Sequence, residues 1–487
     1  MKYFYQFVLA LGLPVLAAAQ QSSPSFELGS ISTPRTINPA ANSNTPSSLA
    51  GQQQNPFLGS VPSGQATSNP IDLSLQEAIE RGVRSNLGVI ENQTSLRQAQ
   101  AQRLRALSAL LPNVSALLRQ NLDQLNRVAI GLKIPGIPAS TGQFSYQESY
   151  VTFSENSLAL DTAYRLRAAR RNAEAVSYSL ADARDVVVLA VGTAYLQVIA
   201  SQARLETAKA QLEVARTLED QTANQVRSGL SPEIDGFRAT VQRQTDEQRV
   251  TVSEANWEKD KLTLARLIGL PEGQQFNLTT DAPYRPWNGP DLGTALKQAE
   301  QGRADLKSAQ AASQAAALDK TAAQLQRLPG ISVNGYYGAV GTTLRHSDTT
   351  YTVAATVSLP IFTGGRIRSE IQESAAELDR KRSEYFDLVG RVDYEVRNAF
   401  IDLGAADNAI HVAENNNQLA QKTLEQARDR FANGVTNNLE VVQAQQDLAA
   451  ANENYISSLF AHNLAKLAVL RALGTAQKDA PQYLGGK

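Results

Sequence analysis

The feature that most restricts how this chain can fold is a long internal repeat. Three segments recur 205 positions later: Val226-Arg227-Ser228-Gly229-Leu230 as Phe431-Ala432-Asn433-Gly434-Val435, residues 194–196 as 399–401, and residues 266–269 as 471–474. A constant offset over about 75 residues is hard to obtain by chance. The ordered chain is therefore predicted to consist of two copies of one unit of about 200 residues.

Each unit is predicted to contain one very long helix. Residues 163–227 include no proline and one glycine, and the second copy has no proline between Pro360 and Pro481. At 1.5 Å per residue, about 65 helical residues form a rod of roughly 100 Å. Apolar residues recur along these rods at steps of three and four, as in Leu205, Ala208, Leu212 and Ala215 or Val389, Val392, Val396, Ala399 and Leu403. This spacing predicts a closely packed, alanine-rich coiled coil.

Shorter helices are predicted on either side of each rod. The first covers about residues 75–111 and its counterpart about 292–328, because the residue before a proline is pushed out of the helical region. Each rod is predicted to end at a glycine, Gly229 or Gly434, in the position favoured for a left-handed residue after a helix. A descending helix of about 36 residues should follow each glycine.

Two strands are predicted between the first helix and the rod of each unit. In the second unit every other residue from Tyr351 to Ile361 is apolar, a partner strand begins at Ile331, and residues 341–349 are predicted to form the loop. Alternation of apolar with small polar residues suits a barrel wall with lipid outside and water inside. The first unit alternates less regularly. Four strands cannot enclose an open lumen, so several copies of the chain must contribute.

The chain divides into six segments. Residues 1–19 are a predicted signal peptide, with Lys2, an apolar run and three alanines, and residues 20–70 are a polar leader predicted to be disordered or to lie as a strap on a surface. The remainder is read as a first repeat (71–270, strands within about 113–160), a linker (271–290), a second repeat (291–474, strands within about 330–362) and a tail (475–487).

Composition narrows the function further. The chain has no cysteine, three histidines, a net charge of −1 and 6% aromatic residues. These values argue against disulfides, a lipid-modified cysteine and a nucleic-acid partner. No nucleophile–base constellation is recognisable, so we expect no catalytic residues, no metal site, no cofactor and no enzymatic activity.

In this order and at these spacings, the motifs resemble those of TolC-type outer membrane efflux proteins. The resemblance covers about residues 71–474. Three segments carry it: Leu73-Ser74-Leu75-Gln76-Glu77-Ala78-Ile79, Leu359-Pro360-Ile361-Phe362-Thr363-Gly364-Gly365-Arg366, and Phe431-Ala432-Asn433-Gly434-Val435 followed by Leu439-Glu440-Val441. The resemblance implies a mainly α fold with a small β part, in which a tandem repeat builds a long helical coiled-coil barrel. Four strands per chain would then contribute to a trimeric, twelve-stranded transmembrane β-barrel.

The function implied by the resemblance is that of a passive exit duct in the outer membrane, with a long periplasmic part. The duct would be a homotrimer in contact with outer membrane lipid, and it would dock to a periplasmic adaptor and an inner-membrane pump. One departure concerns the first repeat, which has Asp161-Thr162-Ala163-Tyr164-Arg165 in place of the Gly-Gly-Arg junction. The cargo remains open among drugs, metal ions, siderophores and proteins.

Two carboxylates are candidates for a cation-attracting ring at the periplasmic entrance. Asp235 and Glu440 each stand six residues after a tip glycine, where the resemblance places the entrance. A carboxylate at a helix start also stabilises the helix, and Glu440 lies three residues after Asn437 as in a capping box. Both roles stay open for both residues. Arg238 and Gln443 occupy the next positions, so a second acidic ring is not expected.

The two turns are the candidate docking surface for the adaptor. The residues are Arg227, Gly229, Leu230, Gly434, Val435 and Thr436. The alternative is that the glycines serve only to end the helices. A rival for the whole chain is a non-conducting coiled-coil structural or adhesion protein, against which the barrel-like strands argue.

Overall fold

The computed structural model of the protein describes residues 55–158, 160–343, 345–433, 435–436 and 438–484. The predicted signal peptide, residues 20–54 of the leader, Gly434 and Asn437 lie outside the described residues. All described residues belong to one compact unit that begins at Gln54.

Both repeats have the same order of elements. The first follows a short 3-10 helix (Pro56–Leu58) and comprises β1 (Ile71–Leu73), α1 (Leu75–Ser85), α2 (Leu87–Ser108), β2 (Asn113–Asp123), β3 (Phe144–Leu158), α3 (Leu160–Arg227) and α4 (Glu233–Leu267). The second comprises β4 (Phe276–Leu278), α5 (Leu292–Gly302), α6 (Ala304–Leu325), β5 (Gly330–Thr343), β6 (His346–Ser358), α7 (Arg366–Ala432) and α8 (Asn438–Leu473), and α9 (Ala476–Leu484) follows. β2, β3, β5 and β6 lie within the two predicted strand ranges, whereas β1 and β4 were not predicted.

The two rods are α3, with 68 residues, and α7, with 67 residues. Each is about 100 Å long. An 18-residue window of α3 has a mean hydropathy of 1.7, and α3 is by length and composition apolar enough to cross a membrane. More than half of that window is buried inside the protein, and Val187, Val188 and Val191 are fully enclosed in the main hydrophobic core. We therefore interpret α3 as a core helix.

The first helix of each repeat is broken, where the sequence predicted one continuous helix. Asn86 separates α1 from α2 with extended backbone angles (φ −64°, ψ 132°), and Arg303 separates α5 from α6 in the same conformation. The Asn86 side chain accepts a hydrogen bond from the Gly88 amide (2.9 Å) and donates one to the Phe57 carbonyl (2.8 Å). A contact outside the helix therefore causes the break.

The helices pack side by side in a layer. In the half of the layer that ends at the tip turns, α4 packs on α3, α3 on α8, and α8 on α7. In the half that ends at the strands, α2 packs on α3, α3 on α6, and α6 on α7. In the described structure α4 and α7 are therefore the outer helices of the half nearer the tip.

The described strands form two sheets. β2, β3, β5 and β6 form an antiparallel sheet in that order, and β1 pairs in parallel with β4. The loop between β5 and β6 is shorter than predicted, because Gly341 pairs with Ser347 and Thr343 with His346. The predicted linker contributes β4, and the predicted tail contributes α9.

Residues 55–70 lie on the helical body rather than apart from it. The Val61 amide donates to the Ser85 carbonyl (2.9 Å), the Leu87 amide donates to the Gly59 carbonyl (3.0 Å), and the Thr67 amide donates to Gln274 Oε1 (2.7 Å). Of the two alternatives predicted for the leader, residues 55–70 therefore match a strap that lies on the surface of the fold. Disorder is the wrong expectation for these residues, because their backbone groups find partners in the fold.

Candidate functional site: channel wall and tip turns

The four-stranded sheet carries one apolar face. The strand register places one set of side chains on the same side: Val114, Ala116, Leu118, Val151, Phe153, Ile331, Val333, Gly335, Tyr337, Tyr351, Val353, Ala355 and Val357. The larger members are widely exposed in the single chain, for example Leu118 at 76% and Tyr351 at 73%. An exposed apolar band of this kind suits contact with lipid.

The opposite face of the sheet is polar. Ser115 and Thr152 share a hydrogen bond of 2.7 Å, and Asn121 donates to Glu148 (3.2 Å). Arg119 lies 3.6 Å from Glu148 on the same face. The alternation predicted clearly for the second repeat therefore also holds across the first.

The sheet has two open edges. In the described structure β2 pairs only with β3, and β6 pairs only with β5. An edge strand presents unpaired backbone N–H and C=O groups, which are unfavourable in lipid. A further copy of the same sheet can supply both partners, because β6 of one copy and β2 of the next run in opposite directions.

The first tip turn has the predicted glycine geometry. Gly229 adopts φ +70°, in the left-handed region that a side chain disfavours. The Leu230 amide donates to the Gln225 carbonyl (2.8 Å), which closes the turn. The Leu230 side chain is 80% exposed, and Arg227 donates to Asn224 (2.6 Å). This turn therefore presents an apolar side chain beyond the helix ends.

Asp235 lies just behind this turn and is buried. Ser231 donates to Asp235 Oδ2 (3.1 Å), and Arg238 Nη1 lies 3.3 Å from Asp235 Oδ1. Only 5% of Asp235 is exposed even in the single chain. A residue that lines a pore would be open to solvent in a single chain, so Asp235 is the weaker candidate for the entrance ring.

Glu440 occupies the equivalent place in the second turn and is more open. Thr436 Oγ1 donates to Glu440, and Arg430 Nη1 lies 2.9 Å from Glu440 Oε1. The Glu440 side chain is 37% exposed. The turn is closed by the Val435 amide, which donates to the Arg430 carbonyl (2.9 Å), and Val435 is 67% exposed. The predicted roles of Gly434 and of the Asn437 cap concern positions outside the described residues.

The two turns share the same set of contacts around the carboxylate, and the sequence indicates only some of them. In each, a hydroxyl four residues earlier donates to the carboxylate, and an arginine lies against it. Arg238 is local to Asp235 and could have been noticed as its partner. Arg430 reaches Glu440 from the other helix, so no local spacing indicates that pair.

Comparison with known proteins agrees with this architecture. A family model described as "Outer membrane efflux protein" matches residues 295–475. A pyoverdine export outer membrane protein, OpmQ of Pseudomonas putida, is 25% identical over 404 residues, which cover 79% of this chain and 83% of the relative. TolC of Vibrio cholerae is 22% identical over 397 residues, covering 80% and 89%.

Solved structures show the same fold. The CmeC outer membrane channel of Campylobacter jejuni has a TM-score of 0.74 at 16% identity, covering 93% of this chain and 95% of that one. The open state of the MtrE channel of Neisseria gonorrhoeae has a TM-score of 0.70 at 19% identity, covering 85% and 94%. The resemblance seen in the sequence is thereby confirmed. The chain is similar to TolC-like outer membrane efflux proteins over most of its length, and this similarity supports a location in the outer membrane with the long helices in the periplasm.

Proposed function

We propose that the protein is a passive, homotrimeric exit duct of a tripartite efflux or type I secretion system. The observation that carries this proposal is the amphipathic four-stranded sheet with two open edges, continuous with helices about 100 Å long. Three such sheets supply the twelve strands that the family resemblance implies. The polar face would then line a water-filled passage.

Apolar stripes on the two outer helices support assembly into a ring. The exposed members on α4 are Ile234, Phe237, Val241, Val252 and Leu262, and those on α7 are Phe386, Tyr394, Ile401, Val412 and Leu419. At 100° per residue, each set falls within a face of about 80°. On α7 this face lies opposite the residues buried against α8 and α5, such as Val396 and Leu403.

The stripes match each other in position along the rods. α4 runs away from its tip turn and α7 runs toward its own, so Ile234 of α4 and Leu419 of α7 lie toward the same end. Contact between α4 of one copy and α7 of the next is a head-to-tail interface, which closes a ring when the rotation allows. Exposed apolar area on both edges is the surface that such an interface buries.

The partners in this proposal are a periplasmic adaptor and an inner-membrane pump, which would supply the energy. The exposed Leu230 and Val435 at the two turns are the candidate adaptor contacts, together with Arg227, Gly229, Gly434 and Thr436. Relatives are named for pyoverdine export and toluene efflux. Their names therefore cover chemically different cargoes, and we propose that the pump selects the cargo.

The experiment that tests the proposal is single-channel recording in a planar bilayer. The subunit number of the detergent-purified protein is fixed first by light scattering. We expect a trimer with long-lived, cation-preferring openings, or a closed trimer that conducts after the charges of Asp235 and Glu440 at the tip turns are removed. A soluble oligomer that never inserts would contradict the proposal and favour a coiled-coil structural protein.

A further inference from the structure

The hairpin between β2 and β3 ends in an unusually apolar tip. Backbone hydrogen bonds continue the hairpin beyond the strands, from the Arg127 amide to the Ala139 carbonyl (2.8 Å) and from the Thr141 amide to the Leu125 carbonyl (2.8 Å). The eleven residues 128–138 that follow, here named the apolar tip, include five aliphatic side chains between 42% and 58% exposed: Val128, Ile130, Leu132, Ile134 and Ile137.

The apolar tip is held in a defined shape. The Leu132 amide donates to the Arg127 carbonyl (3.0 Å), and the Ile137 amide donates to the Ile134 carbonyl (3.2 Å). Gly131 and Gly136 adopt φ +82° and +85°, and two prolines fix further backbone angles. Two consecutive turns therefore present the aliphatic side chains outward.

Acyl chains of the membrane are poorly placed to cover this tip. The outward face of the sheet turns polar at Gln120, Gln147 and Ser347, and Leu122 is its last large apolar residue. Val128 is six residues beyond Leu122, which corresponds to about 20 Å of extended chain. The tip thus lies beyond the hydrocarbon layer rather than within it.

We propose that the apolar tips of the three copies fold over the outer mouth and meet on the axis as a hydrophobic constriction. The inference rests on the proposed trimeric duct. A twelve-stranded barrel with strands about 4.8 Å apart and tilted by about 40° has a radius of about 12 Å. The hairpin arm between the end of β2 at Asp123 and Arg127 spans at most about 14 Å, so an arm bent inward at the barrel rim can bring the apolar tip to the axis.

The apolar composition of the tip, rather than its charge, agrees with a second copy as its occupant, because like-charged Lys133 side chains of three copies repel one another at close range. Lys133 is the only charged residue in 128–138, and its long side chain can keep the ammonium group in water while the stem packs. Three tips together would place fifteen aliphatic side chains around a narrow opening. A constriction of this kind closes by expelling water and opens when the tips separate.

The absence of cysteine from the sequence makes a direct test simple. Ile134→Cys is introduced into the full chain, the trimer is purified, and it is oxidised before electrophoresis without reductant. We expect up to about two-thirds of the chains in disulfide-linked pairs, the limit for three equivalent thiols within bonding distance. The control is Asp348→Cys, at the outer end of β6. In the barrel wall the three equivalent thiols would be far apart, so almost no pairs should form.

A second variant tests the gate itself. The triple change Ile130→Ser, Leu132→Ser and Ile134→Ser should lengthen channel openings several-fold, because a polar constriction stays wet. A trimer that conducts but gives no cross-links with Ile134→Cys, or whose openings the triple change leaves unaltered, would overturn the inference. A protein that forms no trimer would overturn the proposed function and the inference with it.

Discussion

At the scale of single residues, the two carboxylates proposed for the entrance, Asp235 and Glu440, differ in how strongly they can attract an ion. Glu440 is partly open to solvent and shares its charge with Arg430, whereas Asp235 is enclosed by Ser231 and Arg238. A carboxylate that is already neutralised by an arginine attracts cations less than a free one. In the proposed duct, the electrostatic field at the entrance would therefore depend on the Arg430–Glu440 pair.

Changes on the two sides of this pair should shift channel block in opposite directions. Glu440→Gln leaves Arg430 unpaired, so we expect block by a trivalent cation to weaken by about tenfold, a free energy of about 1.4 kcal/mol. Arg430→Gln leaves Glu440 unpaired and should strengthen the block. The measurement is the cation concentration that halves single-channel current, and Asp235→Asn should leave it nearly unchanged. Equal effects of all three changes would contradict the entrance role of Glu440.

A second feature at the residue scale is a polar cluster between α7 and α8, in which a half-exposed carboxylate faces two buried basic side chains. Tyr284 donates to Asp407 (2.9 Å), and Nε2 of the fully buried His462 lies 3.5 Å from the same carboxylate oxygen. Lys466, one turn further along α8, is 1% exposed. Burial, with Arg285 adding repulsion, lowers the pKa of Lys466 from 10.5 to about 8.

Replacing Lys466 by Met should stabilise the protein at neutral pH. Below about pH 8 the lysine is charged in both states, so the cost of burying that charge is fully present, up to about 3 kcal/mol. Between pH 8 and 10.5 the unfolded chain binds more protons, and the stability of the native protein rises with pH. The gain from Lys466→Met is therefore largest below pH 8 and disappears above pH 10.5.

Urea unfolding at pH 7 and at pH 10 measures this effect. The control is Lys478→Met, because Lys478 is exposed on α9. A loss of stability at pH 7 in Lys466→Met alone would show that the attraction between Lys466 and Asp407 outweighs the burial cost. Burial also lowers the pKa of His462, so acidification below about pH 6.5 should destabilise the native protein through that residue.

At the scale of elements, α3 and α8 make a close contact at a glycine. A Cβ atom added at Gly192 would lie 2.8 Å from Leu467 Cδ2, and Leu467 is fully buried. The contact is too close for a methyl group, so the glycine sets the distance between the two helices. This is the single glycine that interrupts the first rod in the sequence.

Gly192→Ala should therefore destabilise the protein although alanine favours helices. Overpacking costs about 1–3 kcal/mol, against a helix-propensity gain of about 1 kcal/mol. Leu467→Ala alone should cost about 2–5 kcal/mol. The double variant should lose clearly less than the sum of the two, since the cavity accepts the methyl group. Thermal unfolding checks this, with Gly236→Ala as control, where the nearest atom is 3.7 Å away. Additive losses would show that the helices are free to separate.

The helices and strands also show how much of the fold the sequence could predict. The repeat and the prolines marked the long helices and the strand ranges, because these signals are local. The breaks at Asn86 and Arg303 escaped prediction because each involves a partner distant in sequence: Asn86 bonds to Phe57, and the buried Arg303 binds Glu395 of α7 (2.5 Å) as well as the nearby Asp305. The tip carboxylates were predicted by position, but their exposure depends on Arg430, which approaches from the neighbouring helix.

At the scale of the whole molecule, ring formation should depend on the stripe on α7. Leu419 is 61% exposed in the single chain and has no buried role within it. In the proposed trimer it would pack against α4 of the next copy, where an unpaired carboxylate is costly. Leu419→Glu should therefore leave the folded chain intact and shift the protein from trimer to monomer. Light scattering in detergent, with helix content from circular dichroism, measures both quantities.

A neighbouring position separates this effect from that of charge alone. Gln418 is also exposed on α7 but lies about 100° away from Leu419 around the helix. Gln418→Glu adds the same charge beside the stripe and should leave the trimer intact. If both variants remain trimeric, the stripe on α7 is not the contact between copies. If only Leu419→Glu dissociates, the outer helices close the ring, and the open strand edges of β2 and β6 are brought together by the same interface.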